Sequence, residues 1–424
     1  MKHGEPWKKD TIQFLISQNV SLIGSMLVQY AIIWHITLTT QSGVMLTISI
    51  ICGFIPTLLI SPFAGVWADR FDRKRLIVRS DALIAIATLI MAVAFFLGKD
   101  ELWQLYLVLA IRSLGTGIQT PAVSALLPQI VPPEHLTRVN GIQGSVQSLV
   151  AIITPMISGA LLTLAPIEYI FGIDVVTAAI AIFILLVFLR IPTHQRALEK
   201  QKFSYFSDLR DGLRYINAHA FIKTLFFYCA LYFVLVTPVA FLTALQTTRT
   251  YGSDVWRLTA IEIAFSGGMM AGGMLIASWG GFANKMRTMV LSVCINGIII
   301  IGLGIAPAFW LYLAFMAIIG ISMPLFNTPF TVLIQQRVDE AYMGRVFSVF
   351  SMISTSVMPI AMLFFGPLSD TVRIEWMLLG TGALMLVEGA FMYTNRRLTA
   401  AGVSETHAAG ESQEPHEEVK TPFS

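Results

Sequence analysis

Four ionisable side chains stand inside long apolar stretches of this 424-residue chain: Arg112, Asp174, Glu262 and Glu388. A charge at the centre of a hydrocarbon layer costs roughly 2.5–3.5 kcal/mol, so each needs a partner or a use. A carboxyl group in such a place can take up and release a proton as its surroundings change. Glu262, flanked by Ile261 and Ile263, is the leading candidate for carrying a proton; an interfacial or structural carboxylate is its alternative role. Asp174 is a second, less favoured candidate. Read from the residue alone, Arg112 snorkels outward or braces a backbone carbonyl. Glu388 suits packing at least as well as chemistry. Asp81 is expected to pair with Arg79 or the bases just before it, and His35 reads as a satisfied interface residue. A fifth feature is the cluster GVWADRFDRKR at 65–75, which sets Asp69, Arg70, Asp72, Arg73, Lys74 and Arg75 between two apolar runs.

Composition says what must hold these groups. The chain is 55% hydrophobic and 12% charged, with mean hydropathy +0.72. Soluble domains carry about 25% charged residues, so this chain is an integral membrane protein. Cys52, Cys229 and Cys294 all fall in apolar runs and have neither disulfide nor metal spacing. Neither a GxxxxGK[ST] phosphate loop nor HExxH nor a paired-aspartate constellation occurs. The expectation is therefore a non-enzyme without cofactor, driven by an ion gradient. One charge falling through about 150 mV releases roughly 3.5 kcal/mol, enough for a concentration ratio of a few hundred. Membrane lipid is an expected partner and nucleic acid is not.

Windows of about 19 residues mark twelve spans, near 12–37, 44–66, 76–97, 103–127, 138–164, 169–190, 221–246, 258–280, 287–306, 309–333, 345–367 and 376–395. The expected architecture is all-α, with one six-helix bundle in 1–190 and another in 221–397. The first span reads as retained rather than as a cleaved leader. Between the bundles, the polar segment 191–220 repeats Phe206, Leu209, Leu213 and Ile216 at three- and four-residue spacing. This pattern predicts a short amphipathic helix against the membrane face or the adjacent bundle. The tail 398–424 has no periodicity and reads as disordered. With the N-terminus inside, 23 of the 28 Lys and Arg residues fall on that side, four on the other, and Arg112 within a span. That bias predicts both termini and the 191–220 segment in the cytoplasm.

The halves echo each other. LLPQIVPPEHLTRVNG (126–141) and LIQQRVDEAYMGRVFS (333–348) each join the fourth span of a half to the fifth. Thr120-Pro121 and Thr328-Pro329 precede them, and Pro155 and Pro359 follow. In order and in equivalent spans, these matches predict a parallel two-fold repeat. Gly267, Gly268, Gly272 and Gly273 in SGGMMAGG thin one face of the eighth span, as close helix packing requires. Phe, Met and Trp are abundant, which suits a tolerant apolar cavity and lipid-facing surfaces alike.

GVWADRFDRKR resembles the signature loop of the major facilitator superfamily: glycine, three residues, aspartate, arginine, then a basic cluster. Asp72 departs from it, standing where many members have glycine. FIPTLLISPFAGVWADRFDRKR, IRSLGTGIQTPAVSALLP, IEIAFSGGMMAGG and GRVFSVFSMISTSVMPI resemble bacterial macrolide-efflux permeases of the Mef type. The resemblance implies a twelve-helix exporter in a bacterial cytoplasmic membrane that exchanges protons for hydrophobic antibiotics, macrolides first, and works as a monomer. Same-fold alternatives are an exporter of a siderophore or lipid-like metabolite and a nutrient importer; a non-transporting membrane sensor or scaffold is the rival from another class. The resemblance also implies a latch: Asp69, with Gly65, Arg70, Arg73 and Lys74, meets the start of the eleventh span at Gly344-Arg345 while the cavity faces outward. Arg112 in RSLGTG resembles the family's fourth-span arginine motif, one residue short in its glycine spacing, and that resemblance implies a part in proton handling beside the two structural roles above. Pro155 and Gly159 in ITPMISG resemble a reduced fifth-span antiporter motif that lacks the usual glycines before the proline. Together with Gly268, Gly272 and Pro359 they are expected at close-packed or hinge positions.

Overall fold

In a hydrocarbon layer each backbone N–H and C=O must be bonded within the protein, so long apolar runs fold as helices. A computed structural model describes residues 6–189, 205–339 and 342–401. Fourteen α-helices and one 3-10 turn make up the secondary structure of the described residues, with no strand. The N-terminal group is α1 (Pro6–Thr40), α2 (Gly43–Arg70), α3 (Arg73–Phe96), α4 (Leu102–Ile130), α5 (Leu136–Leu164) and α6 (Ile167–Val187). Then come α7 (Tyr205–Ala218), α8 (Ala220–Thr250), α9 (Val255–Trp279), α10 (Lys285–Ile305), α11 (Phe309–Arg337), α12 (Met343–Thr371), α13 (Ile374–Thr394) and α14 (Arg396–Ala401).

Eleven of these are long and apolar enough to cross a membrane. The twelfth expected span, α4, has the length but not the composition, because Arg112, Gln104 and Gln119 interrupt it. Its packing gives the reason: α4 lies between α2 and α3, and its polar residues face other helices and a cavity. Helices α1–α6 pack on one another, as do α8–α13, and the two groups meet through α2 with α12 and α5 with α9. For brevity, the end of the bundle where α1 begins is called proximal and the opposite end distal.

Small residues set the closest contacts. Gly268 and Gly272 lay α9 against backbone carbonyls of Ala317 and Ile321, while Gly320 of α11 returns the approach toward Phe265. Gly267 and Gly273 face open space. Gly159 of α5 meets Thr259 of α9 and Trp34 of α1 near the distal end, one turn after the buried Pro155. Pro359 is buried within α12.

Helix α7 packs on the C-terminal group, against α12 and α8. Gly212 abuts the Arg345 carbonyl, and the Tyr215 hydroxyl donates to Asp339 Oδ2 at 3.1 Å while its ring stacks on Tyr342. The buried face is Gly212, Tyr215 and Ile216, flanked by the partly buried Leu209. Leu213, expected on that face, is 40% exposed, because the helix turns it away from α12; the Phe206 side chain lies outside the described residues. The tail also begins later than expected. Residues 398–401 continue α14, with Leu398 buried and the Thr399 carbonyl accepting from Asn284 Nδ2 at 2.8 Å; residues 402–424 lie outside the described ones.

Candidate functional site: a cavity between two helical bundles

The two helix groups enclose a cavity with two lobes. The distal lobe, about 320 Å³, is walled by Tyr30, Ile33 and Trp34 of α1, Leu46 and Ile50 of α2, Phe241 of α8, and Leu258, Ile261 and Glu262 of α9. The second lobe, about 310 Å³, shares Met26 and Gln29 with the first and runs along α1, α4 and α5. Its wall is rich in neutral amides: Gln18, Asn19, Gln119, Gln143 and Gln147. A continuation past Thr120, Ser124 and Asn140 leads to the proximal end. Each lobe lies in the range of about 300–1,000 Å³ that holds drug-sized ligands.

Glu262 follows Leu258 and Ile261 on the cavity-facing stripe of α9. Its carboxylate has no hydrogen bond or salt bridge among the described residues. Tyr30 is close enough to feel its charge. An aromatic wall with one unpartnered carboxylate suits a cation or a proton, since ring faces and the anion both attract positive charge.

Arg112 and Asp174, 62 residues apart, form a buried ion pair that local spacing in the sequence does not show. Arg112 also donates to Thr88 Oγ1 at 2.5 Å and to the Ser25 carbonyl at 3.1 Å. Asp174 gains Ser25 Oγ at 3.4 Å and Thr88 Oγ1 at 3.0 Å. Gly24 leaves the room, because a Cβ there would press on Asp174 and Thr177. Both Asp174 oxygens thus accept hydrogen bonds. Arg112 neither snorkels to an edge nor stands alone.

Asp81 departs from expectation. It is buried on the inward face of α3, whereas Arg79 is exposed on another. Its Oδ1 accepts from Ser21 Oγ at 3.0 Å and Gln119 Nε2 at 2.7 Å. Helical rotation is the reason: two residues apart on a helix point in different directions. Glu388 is buried near Cys229 and Tyr232 of α8, away from the cavity, and neither oxygen has a partner among the described residues.

At the proximal joint, Asp72 caps α3 by accepting from the Arg75 N–H at 3.0 Å, which accounts for its replacing a glycine. Arg73 donates to the Ala68 carbonyl (2.9 Å) and the Ala125 carbonyl (2.7 Å), and Lys74 to that of Leu189 (2.7 Å). Both bases therefore bind helix ends within the N-terminal group. Arg70 is exposed, and Arg345 stands 4.0 Å from Asp211 of α7. The Asp69 backbone lies in α2; its side chain lies outside the described residues. Around a Cβ at Gly65 or Gly344 nothing lies within 4 Å, so neither glycine is pressed against a neighbouring helix.

At the distal joint the same two helices touch. Asp370, near the end of α12, accepts from the Gly43 N–H (2.7 Å), the Val44 N–H (3.0 Å) and Ser42 Oγ (2.7 Å) at the start of α2. Arg249 of α8 donates to Asp370 Oδ1 at 2.7 Å, to the Ser369 carbonyl at 2.6 Å and to the Gln41 carbonyl. Gly43 and Gly366 allow the approach, since a Cβ on either would meet the other helix. Neither Asp370 nor Arg249 stood out from the sequence. The signal was available: Gly366-Pro-Leu-Ser-Asp370 ends α12 with the spacing of Gly65-Val-Trp-Ala-Asp69, which ends α2.

Two helix bundles closed at one end around a cavity that opens at the other define a membrane transporter, not an enzyme. Residues 11–362 match the Major Facilitator Superfamily, and the chain belongs to that superfamily. Macrolide efflux protein A of Streptococcus pyogenes is 29% identical over 382 residues, covering 90% of this chain and 94% of that protein. The staphyloferrin A transporter of Staphylococcus aureus is 23% identical over 402 residues, 92% and 97% of the two chains. Among solved structures, a bacterial homolog of the human lysosomal transporter Spinster, inward-facing and unoccupied, superposes with a TM-score of 0.70 at 14% identity. That alignment covers 95% of this chain and 99% of the other.

Proposed function

We propose that this transporter exports hydrophobic antibiotics bearing a basic amine, macrolides foremost, across a bacterial cytoplasmic membrane in exchange for protons. The observation that carries the reading is Glu262, an unpartnered carboxylate in the aromatic lobe between the two bundles. Such a group binds a proton or a cargo amine, and the two compete for one site. That competition is what exchange requires: cargo arriving from one side displaces a proton, and a proton arriving from the other displaces cargo. The likeness to macrolide efflux protein A supports the cargo class. Positive-inside bias supports cytoplasmic termini, so the proximal end faces the cytoplasm and the state described is inward-open. Alternating access then needs the distal joint to open and the proximal joint to close. The chain acts alone, with the proton gradient in place of a cofactor.

An exporter of an anionic chelator is a second reading, favoured by the likeness to the staphyloferrin A transporter. The cavity speaks against it, because Arg112 is committed to Asp174 and no unpaired cation lines either lobe among the described residues. Expression in an efflux-deficient bacterium should raise the inhibitory concentration of erythromycin, and an uncoupler should abolish the gain. Glu262→Gln, at equal membrane levels, should abolish it too. Protection only against anionic compounds would remove the amine reading.

A further inference from the structure

A second buried carboxyl group, Asp81, lies directly behind the cavity wall. We infer that Asp81 is a second proton-binding site, placed in the N-terminal bundle and served by the amide-lined lobe through Ser21 and Gln119.

The argument starts from charge balance. Three ionisable groups lie in the interior of the N-terminal bundle at the level of Ser21 and Ser25: Asp81 of α3, Arg112 of α4 and Asp174 of α6. Arg112 and Asp174 neutralise each other. Among the described residues no cation pairs with Asp81. On α3 itself, Arg73 and Lys74 bind carbonyls at helix ends, Arg75 lies 3.7 Å from Asp72, and Arg79 is exposed. From α1, Ser21 faces Asp81; from α4, Gln119; from α6, Asp174, whose charge Arg112 already balances. A carboxylate with 1% exposure and no cation is costly, whereas the neutral acid is not.

The two oxygens are also unequal. Both donors converge on Oδ1, while Oδ2 is buried with no partner among the described residues. That is the pattern of a carboxylic acid whose carbonyl is Oδ1 and whose hydroxyl is Oδ2. It is unlike a metal-cation site, which would surround the carboxylate with several further oxygens. Ser21 and Gln119 line the lobe that leads to the proximal end, so the acid is one side chain away from water. On release, the Oδ2–H bond breaks, the proton passes to a cavity water, and the carboxylate keeps the Ser21 and Gln119 hydrogen bonds. The polar wall of α4 is thereby assigned a role as well as the aromatic lobe. Use of this proton in transport rests on the exchange reading above; its existence does not.

Two measurements separate those statements. Infrared difference spectra of the purified protein in lipid, between acidic and alkaline buffer and without cargo, should show a carboxylic C=O band lost at alkaline pH. Asp81→Asn should remove that band, and Glu262→Gln should leave it. Gln119→Leu should keep it but move it to higher wavenumber, because one hydrogen bond to the carbonyl is gone. A spectrum unchanged in Asp81→Asn overturns the site; so does a band that stays put in Gln119→Leu and Ser21→Ala, should Asp81→Asn fail to accumulate. A band that shifts with sodium at constant pH also overturns it, in favour of a metal cation. Erythromycin added to solubilised protein in weak buffer should release protons, about two-fold fewer from Asp81→Asn and none from the double variant with Glu262→Gln. Undiminished release from Asp81→Asn denies Asp81 a part in exchange. If erythromycin releases nothing from any form while the band behaves as stated, the macrolide reading fails and the Asp81 site stands.

Discussion

Helices α2 and α12 run antiparallel, and their two ends are in opposite conditions. At the distal end Asp370 accepts two backbone N–H groups of α2, and Gly43 and Gly366 lie against each other's helix. At the proximal end Gly65 and Gly344 face open space. Yet each helix ends in glycine, three residues and aspartate, Gly65 to Asp69 and Gly366 to Asp370. The same short pattern therefore sits at both joints, and at the distal one its aspartate is engaged. Each aspartate can satisfy the orphan amides at the start of the other helix, where the helix dipole is positive. If the joints alternate as the proposed exchange requires, each closure can use the same chemistry.

Four substitutions test whether the joints oppose each other. Spin labels at Lys99 and Ser253 would report distal separation, and labels at Arg79 and Arg214 proximal separation, with Cys52, Cys229 and Cys294 replaced. The largest effect is expected for Gly366→Leu, whose side chain would collide with Thr47 and the Gly43 carbonyl. Overpacking of about 1–3 kcal/mol against the distal closure should widen the distal pair by a population shift of roughly 5- to 150-fold and stop export. Asp370→Ala comes next: loss of the cap and of the Arg249 partner should cost the distal closure about 1–2 kcal/mol, in the same direction. Asp69→Asn should act the other way, weakening the proximal closure by about 0.3–1 kcal/mol, so that the distal pair stays short and export falls at unchanged expression. Widening of the distal pair by Asp69→Asn would contradict the opposition. Smallest of all, Gly65→Ala should leave this state as stable or slightly more so by melting temperature, since helix propensity improves and nothing is struck.

The membrane class and eleven of the twelve spans were legible because they rest on runs of some twenty apolar residues, a signal that tertiary contacts cannot hide. What was not legible were pairings across the bundle. Arg112 and Asp174 meet over 62 residues of separation, and no local pattern announces it. Sequence neighbours suggest Arg79 or the basic cluster as partners of Asp81, although the helix sends Asp81 to Ser21 and Gln119 on another face. Leu213 and Tyr215 show the same limit on α7: the apolar period marks a helix, but the surface it meets decides which stripe is buried. Asp370 was legible in principle, through its spacing to Gly366. Its location near a solvent-exposed helix end concealed it, since charge there is ordinary.

The ion pair in the N-terminal bundle also has a history. During synthesis Arg112 enters the membrane long before Asp174 exists, and α4 is the one expected span too polar to qualify on its own. Until α6 arrives, α4 must hold its guanidinium with Thr88 and the Ser25 carbonyl alone. A nascent chain stopped between α5 and α6 would therefore carry a bare cation in its bundle, and quality-control proteases would meet it in that form. The N-terminal half is finished, in the electrostatic sense, only when its last helix is made.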